Sequence, residues 1–360
     1  MKGVGRTVLL LVVACVLALG LAEILLRIVH VPAIEIHRRG PVRGGSTAFF
    51  EYDAALGWRG RPGARGTLSG WEFTSDVRLN SRGFRDAEVA VAKPPDIFRI
   101  VVLGDSITWG YGVDAGQRYP DLLDAPVTRA GVPVEIVNLA VSGYATDQEL
   151  LLWERQARRY CADLVILGLY ENDLRENLSP AQGNHAKPYF VVGADGSLTL
   201  RNVPVPVMPA APSPPEPSGV RAWLRRHLRL WAALGFVRES FRGRGGPEIV
   251  PAGAVDVTAA LVRRLGDAIA ASGSRFLVVV LPNLYDSPDT MAAATRSGVE
   301  TILDLGPHFR REASADTLFF RLDGAHWTVK AHALAARAIA DVVTRGRLLS
   351  PPPRVCPGAP

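Results

Sequence analysis

Cysteine is scarce in this 360-residue chain: Cys15, Cys161 and Cys356 are its complement. Three isolated thiols make no disulfide framework and show no metal-ligand spacing. Cys161 directly precedes an apolar strand pattern and reads as a small core residue. None of the seven histidines stands in a helical pair such as H-E-x-x-H, so the expected chemistry uses no metal. A phosphate-binding glycine fingerprint with a partner lysine is missing too, which removes a nucleotide cofactor from the expectations. The net charge of +6 and the pI near 9.5 come from scattered basic residues, nearly all arginine, with one cluster near Arg221 to Arg229. No nucleic-acid module accompanies them, so no nucleic-acid partner is expected.

The N-terminus is different. Lys2 and Arg6 precede TVLLLVVACVLALGLAEILLRIV, in which Val8 to Ala22 carry no charge. Glu23 and Arg27 then stand four apart, in the favourable order for a helical ion pair. Continued to Val29, the segment is about 22 residues, or roughly 33 Å of helix, enough to cross a bilayer. An uncleaved anchor over 7–29 is expected, with residues 1–6 in the cytoplasm. Two alternatives stay open: a signal peptide cut after LGLA, and a lipoprotein signal ending at Cys15 in VVAC.

Residues 30–96 lack a helical period and read as a small β-rich lead-in. From Phe98 the pattern alternates. FRIVVLG, VEIVNLAV and ADLVILGLY are strands separated by helical stretches, and FLVVVLP resumes the series at Phe276. Strands that apolar imply a parallel sheet covered by helices on both faces. The domain is expected over 97–348, interrupted by an insertion at about 175–251, with a disordered tail at 349–360. Within the insertion, PYFVVGADGSLTLRNV is a hairpin turning at Ala194 to Ser197. VRAWLRRHLRLWAALGFV is one amphipathic helix, with Trp223, Leu224, His227, Leu228 and Trp231 opposite Arg221, Arg225 and Arg229. Packing on the domain is its first reading and contact with a membrane surface its second.

The first strand ends in Gly104-Asp105-Ser106. A serine nucleophile needs a base, a group that orients the base, and donors for an oxyanion. Strand ends are where a parallel α/β sheet gathers a site. Gly143 follows the second strand and can present its N–H. Asn172 follows the third and can donate its side-chain amide. Asp323 stands three residues before His326 in a late loop, a spacing that lets the carboxylate orient the imidazole. Each has a plainer use: Ser106 as a helix N-cap, Gly143 in a turn, Asn172-Asp173 as a cap pair, Asp323 and His326 in a surface turn. Their order, one piece per strand end, favours a single site. An α/β-hydrolase elbow, G-x-S-x-G, is absent here.

GDSITWG, the NLAVSGY glycine, the ENDL asparagine and DGAHW resemble the four sequence blocks of the SGNH (GDSL-type) hydrolases, from about Phe98 to Thr344 outside the insertion. LGWRGRPG and VRLNSRGFRD resemble the lead-in of bacterial membrane-anchored members. The resemblance implies a flavodoxin-like α/β/α sandwich with no cofactor. It implies Ser106 as nucleophile, His326 as general base and Asp323 as its orienting acid. The oxyanion hole would be the Ser106 and Gly143 amides and the Asn172 side chain. One departure is Tyr170, where the third block commonly has glycine; another is Glu171, beside the asparagine.

A serine esterase is therefore expected. It would remove O-acetyl or another small acyl group from an envelope or secreted carbohydrate, on the periplasmic or extracellular side of a bacterial cytoplasmic membrane. An O-acyltransferase of surface polysaccharide uses the same triad. A lipase-like activity is open through the amphipathic helix, and a catalytically idle carbohydrate-binding or assembly protein is the reading from another class. Protein partners are not legible.

Overall fold

The structure is a computed structural model. It describes residues 2–29, 31, 34–35, 46–70, 72–128, 131, 133–193, 195–207, 219–242, 249–284, 288–312, 317–321, 324–346 and 348–349. Asp323, Ala194 and the segment 350–360 lie outside the described residues.

Strands β5 (Phe98–Gly104), β6 (Val134–Asn138), β7 (Leu164–Leu169), β12 (Arg275–Val280) and β13 (Ile302–Asp304) make the central sheet. Among the described residues, four short strands of the lead-in precede β5 in the chain and four more lie between β7 and β12. Every neighbouring pair is parallel, in the order β13-β12-β7-β5-β6. In chain order the five strands run 2-1-3-4-5, the flavodoxin-like winding, whose crevice opens where the order reverses, at the β5 and β7 ends.

Both faces of the sheet are covered. Helices Tyr119–Thr128 and Val329–Arg345 pack together on one side, over Ile100, Val102, Ile166 and Val279. Helices Thr146–Arg155, Ala254–Ala271 and Pro288–Arg296 pack on the other, over Val101, Leu103, Val165, Leu167 and Val278. Alternate residues of one strand thus enter opposite cores, so β5 is buried at all seven positions. Its one charged side chain, Arg99, is fully buried and donates to Glu135 and to the carbonyls of Val91 and Tyr160. That pairing offsets the cost of burying a guanidinium.

The lead-in contains the hairpins β1 (Phe50–Asp53) with β2 (Gly57–Gly60) and β3 (Arg65–Ser69) with β4 (Thr74–Arg78). The insertion contributes β8 (Ala181–Gln182) with β9 (His185–Ala186), and the hairpin β10 (Tyr189–Val192) with β11 (Leu198–Arg201). Lys187 holds the insertion to the sandwich. Its buried ammonium pairs with Asp147 and reaches the carbonyl of Glu176.

Two expectations need correction. Cys161 is half-buried, not a core residue, because it ends the turn Ala157–Tyr160 in the left-handed region at φ 51°. The amphipathic segment is two helices, Gly219–His227 and Arg229–Arg242. The second packs on the N-terminal helix Lys2–Ile28 and the first packs on the second. The break has a cause. Glu23 accepts from the amides of Arg229 (3.1 Å) and Leu230 (2.9 Å), while Arg27 donates to the carbonyl of His227 (3.0 Å). A carboxylate on the opening amides and a guanidinium on the closing carbonyl end one helix and start the next. The expected ion pair between Glu23 and Arg27 is present at 2.9 Å.

A buried acidic group lies within the sandwich. Glu149 and Asp173 are fully buried, and each is pushed well above the ordinary carboxylate range by burial and then by neighbouring carboxylates. Glu176 is pushed to about 7, also by burial, with the Gln182 and Asn172 side chains pulling the other way. Raised carboxylates hold protons in the folded chain that the unfolded chain has released. Their stabilising effect is complete below the ordinary value near 4.5 and is lost as pH climbs through the raised values. Burial acts in the opposite sense on His332, which is held neutral down to about 3 and costs stability as pH falls below 6.5. We expect the melting temperature to fall between pH 5.5 and 8.5. Glu149→Gln should shrink that fall by about 3 °C or more, measured by calorimetry at both pH values. An unchanged fall would mean Glu149 is ionised across this range.

Candidate active site

The chain leaves β5 at Gly104 and turns at once into the short helix Ser106–Trp109. Gly104 has φ 156°, and a Cβ there would overlap the Thr108 hydroxyl. Asp105, not Ser106, is the N-cap: its carboxylate accepts from the Ile107 amide at 2.8 Å. The Ser106 hydroxyl therefore points elsewhere, and its Oγ lies 2.8 Å from Nε2 of His326. That is hydrogen-bond distance between an alcohol and a ring nitrogen, the geometry in which imidazole can take the hydroxyl proton. The Ser106 amide is in the first turn of its helix, where amides have no acceptor within the helix.

His326 comes from the other end of the chain on a braced loop. Its carbonyl accepts from the Phe320 amide at 2.9 Å, and Phe319 bridges Trp327. The Trp327 indole donates to the Pro282 carbonyl at 3.0 Å. Tyr170 supplies another tie, its hydroxyl donating to the Ala325 carbonyl at 3.0 Å. The tyrosine that replaces glycine in the third block thus secures the loop that carries the histidine. Tyr111 lies against the imidazole, with ring centroids 4.3 Å apart and planes 31° apart. Phe73 and Phe320 extend this aromatic wall, with Phe73 5.2 Å from Tyr111 and 5.0 Å from Phe320.

The other two strand-end residues follow β6 and β7, the strands that flank β5. Gly143 sits past β6 with φ 82°, in a turn where Tyr144 donates to the Val141 carbonyl. The lead-in clamps this turn. The Trp58 indole donates to the Ser142 carbonyl (3.2 Å), and the Tyr144 hydroxyl donates to the Trp58 carbonyl (2.5 Å). Asn172 opens the helix Asn172–Glu176 directly after β7, and Glu171 beside it is buried. The Asn172 side chain lies near the Glu176 carboxyl, to which Gln182 donates at 3.2 Å. Gln182 lies over Gly143: a Cβ on the glycine would come 2.6 Å from its Oε1.

Trp58, Gln182 and Glu176 were not legible as site residues. The aromatic in LGWRG was the one available signal for Trp58, whose partner Ser142 lies 84 residues away. Asp105 is pushed to about 6 by burial, against its hydrogen bond to Ile107 and the nearby His326.

The chain matches the GDSL-like lipase/acylhydrolase family over residues 102–334, more than half its length, from β5 to the last helix. It belongs to that family. A curated arylesterase from Vibrio mimicus is 31% identical over 75 residues, a stretch that spans 21% of this chain and 38% of that enzyme. Among solved structures, a lipase/acylhydrolase from Enterococcus faecalis is 13% identical, covering 69% of this chain and 96% of that one, with TM-score 0.41. The acetylxylan esterase Axe2 from Geobacillus stearothermophilus is also 13% identical, covering 70% and 94%, with TM-score 0.40.

Proposed function

We propose that this family member is a membrane-anchored serine esterase that acts on O-acylated carbohydrate outside the cytoplasm. The contact of Ser106 Oγ with His326 Nε2 carries the reading. His326 takes the serine proton as Oγ attacks the ester carbonyl. The Ser106 and Gly143 amides and the Asn172 side chain receive the oxyanion. His326 returns the proton to the leaving alcohol, and water then cleaves the acyl-enzyme by the same path. Asp323, three residues before His326, is the acid assigned to orient the imidazole. Asp323→Asn should cost less than removal of the serine, because the base survives in a poorer orientation.

The anchor is the helix Val4–Ile28, long and apolar enough to span a bilayer and exposed from Val4 to Leu21. The acyl group is small in this reading. Half-buried Tyr111 and Phe320, backed by the buried Phe73, offer apolar ring surface near His326 to the leaving group, which suits a pyranose or an aryl alcohol. Incubation of the full chain with acetylated polysaccharide should release acetate, and p-nitrophenyl acetate should be cleaved faster than the palmitate ester. Faster cleavage of palmitate would replace this substrate class with lipid. Acetate appearing on an added sugar rather than in solution would make the protein a transferase.

A further inference from the structure

The helices Gly219–His227 and Arg229–Arg242 take no part in the catalytic arrangement, and they dock where the N-terminal helix ends. Glu23 and Arg27 hold the junction between them, and Arg229 also reaches Glu35 at 2.5 Å. These contacts fall on the last turns of the spanning helix, the level at which its uncharged run gives way to charge. A bilayer that receives Val4–Ile28 has its surface at this level. The two helices are thereby fixed at the surface and not above it.

Their outer sides carry apolar groups. Val220 and Trp223 are exposed on the first helix and Trp231, Leu234 and Val237 on the second, at spacings that keep each set on one face. Trp223 is 54% exposed and Trp231 42%, whereas Trp58, Trp109, Trp153 and Trp327 are buried. Arg221 and Arg226 are exposed on the first helix. Tryptophan beside arginine on an amphipathic helix suits the headgroup region of an anionic membrane.

We infer that the helix pair 219–242 lies on the lipid surface that receives the N-terminal helix, with Trp223, Trp231, Leu234 and Val237 inserted among the headgroups. The inference rests on the reading of Val4–Ile28 as a retained membrane span. Three features favour lipid over a second copy or another protein: continuity with the spanning helix, the polar lock at its end, and the arginines beside the apolar groups. Seated this way, the insertion ties the catalytic crevice to the membrane at a second point, through β8 to β11 and the Lys187–Asp147 pair.

The test uses the full chain in phosphatidylcholine–phosphatidylglycerol vesicles, with and without lipid brominated near the headgroup end of its chains. Alkaline carbonate extraction of the same vesicles reports the span separately. Carbonate-resistant protein should show bromine-dependent quenching of tryptophan emission. Trp223→Phe/Trp231→Phe should lose at least half of that quenching, since the other described tryptophans are buried. A nitroxide at position 234 should gain oxygen accessibility over the same label in detergent-free solution controls at position 256. Resistant protein with equal quenching in wild type and variant overturns the inference and leaves the span intact. Blue-shifted emission without bromine quenching also overturns it, and assigns the face to protein. Carbonate-extractable protein overturns the span and the inference together.

Discussion

Ser106→Ala and His326→Ala should each reduce ester turnover by about 10⁴-fold or more, with the melting temperature nearly unchanged. The two groups are in contact, and Ser106 is half-buried at the tip of a helix. Neither side chain fills the two cores, so truncation should leave the sandwich folded. The more telling variant is the double one. Nucleophile and base act as a unit, so Ser106→Ala/His326→Ala should be no slower than Ser106→Ala alone. Multiplying losses in kcat would show that the two contribute separately and would contradict proton transfer between them. Steady-state kinetics on p-nitrophenyl acetate, with circular dichroism on the same samples, reads both quantities.

Asn172→Ala should lower kcat by about 10²- to 10³-fold with KM changed only a few-fold. Its amide is assigned to a charge that exists in the tetrahedral intermediate and not in the bound ester, so the loss belongs to the transition state. Geometry makes this residue a better test than Gly143. Any side chain at 143 meets Gln182 and must adopt φ 82°, so Gly143→Ala mixes strain with loss of function. Asn172 lies near Glu176, which burial pushes to about 7. Glu176→Gln should therefore flatten the kcat profile between pH 6 and 8 while Asn172→Ala lowers it throughout. A KM effect in Asn172→Ala with kcat intact would move the residue from oxyanion donor to substrate contact.

Much of this was readable from the chain because the decisive residues follow strands. FRIVVLG and ADLVILGLY are apolar on both faces, which calls for a covered parallel sheet, and the sheet order then brings Ser106 and Asn172 to adjacent strand ends. Ser106 itself was ambiguous as a cap, and only the structure shows Asp105 taking that duty. What stayed hidden depends on partners distant in sequence. The helix break at Leu228 follows from Glu23, which lies 206 residues from Arg229. The clamp on the Gly143 turn comes from Trp58, 84 residues from Ser142. Periodicity reports the face of a helix and not what caps it, so the segment read as one continuous helix. The role of Tyr170 was hidden for the same reason, since its partner is the backbone of Ala325. Asp323 remains an assignment from the DGAHW block and its spacing to His326.

The central claim is an activated serine at position 106. Fluorophosphonate labelling of the full chain, followed by mass spectrometry of its peptides, tests it without knowledge of the natural ester. A phosphonyl adduct is expected on Ser106 and should be lost in His326→Ala. A folded chain that takes no adduct, or takes it on another residue, would contradict it.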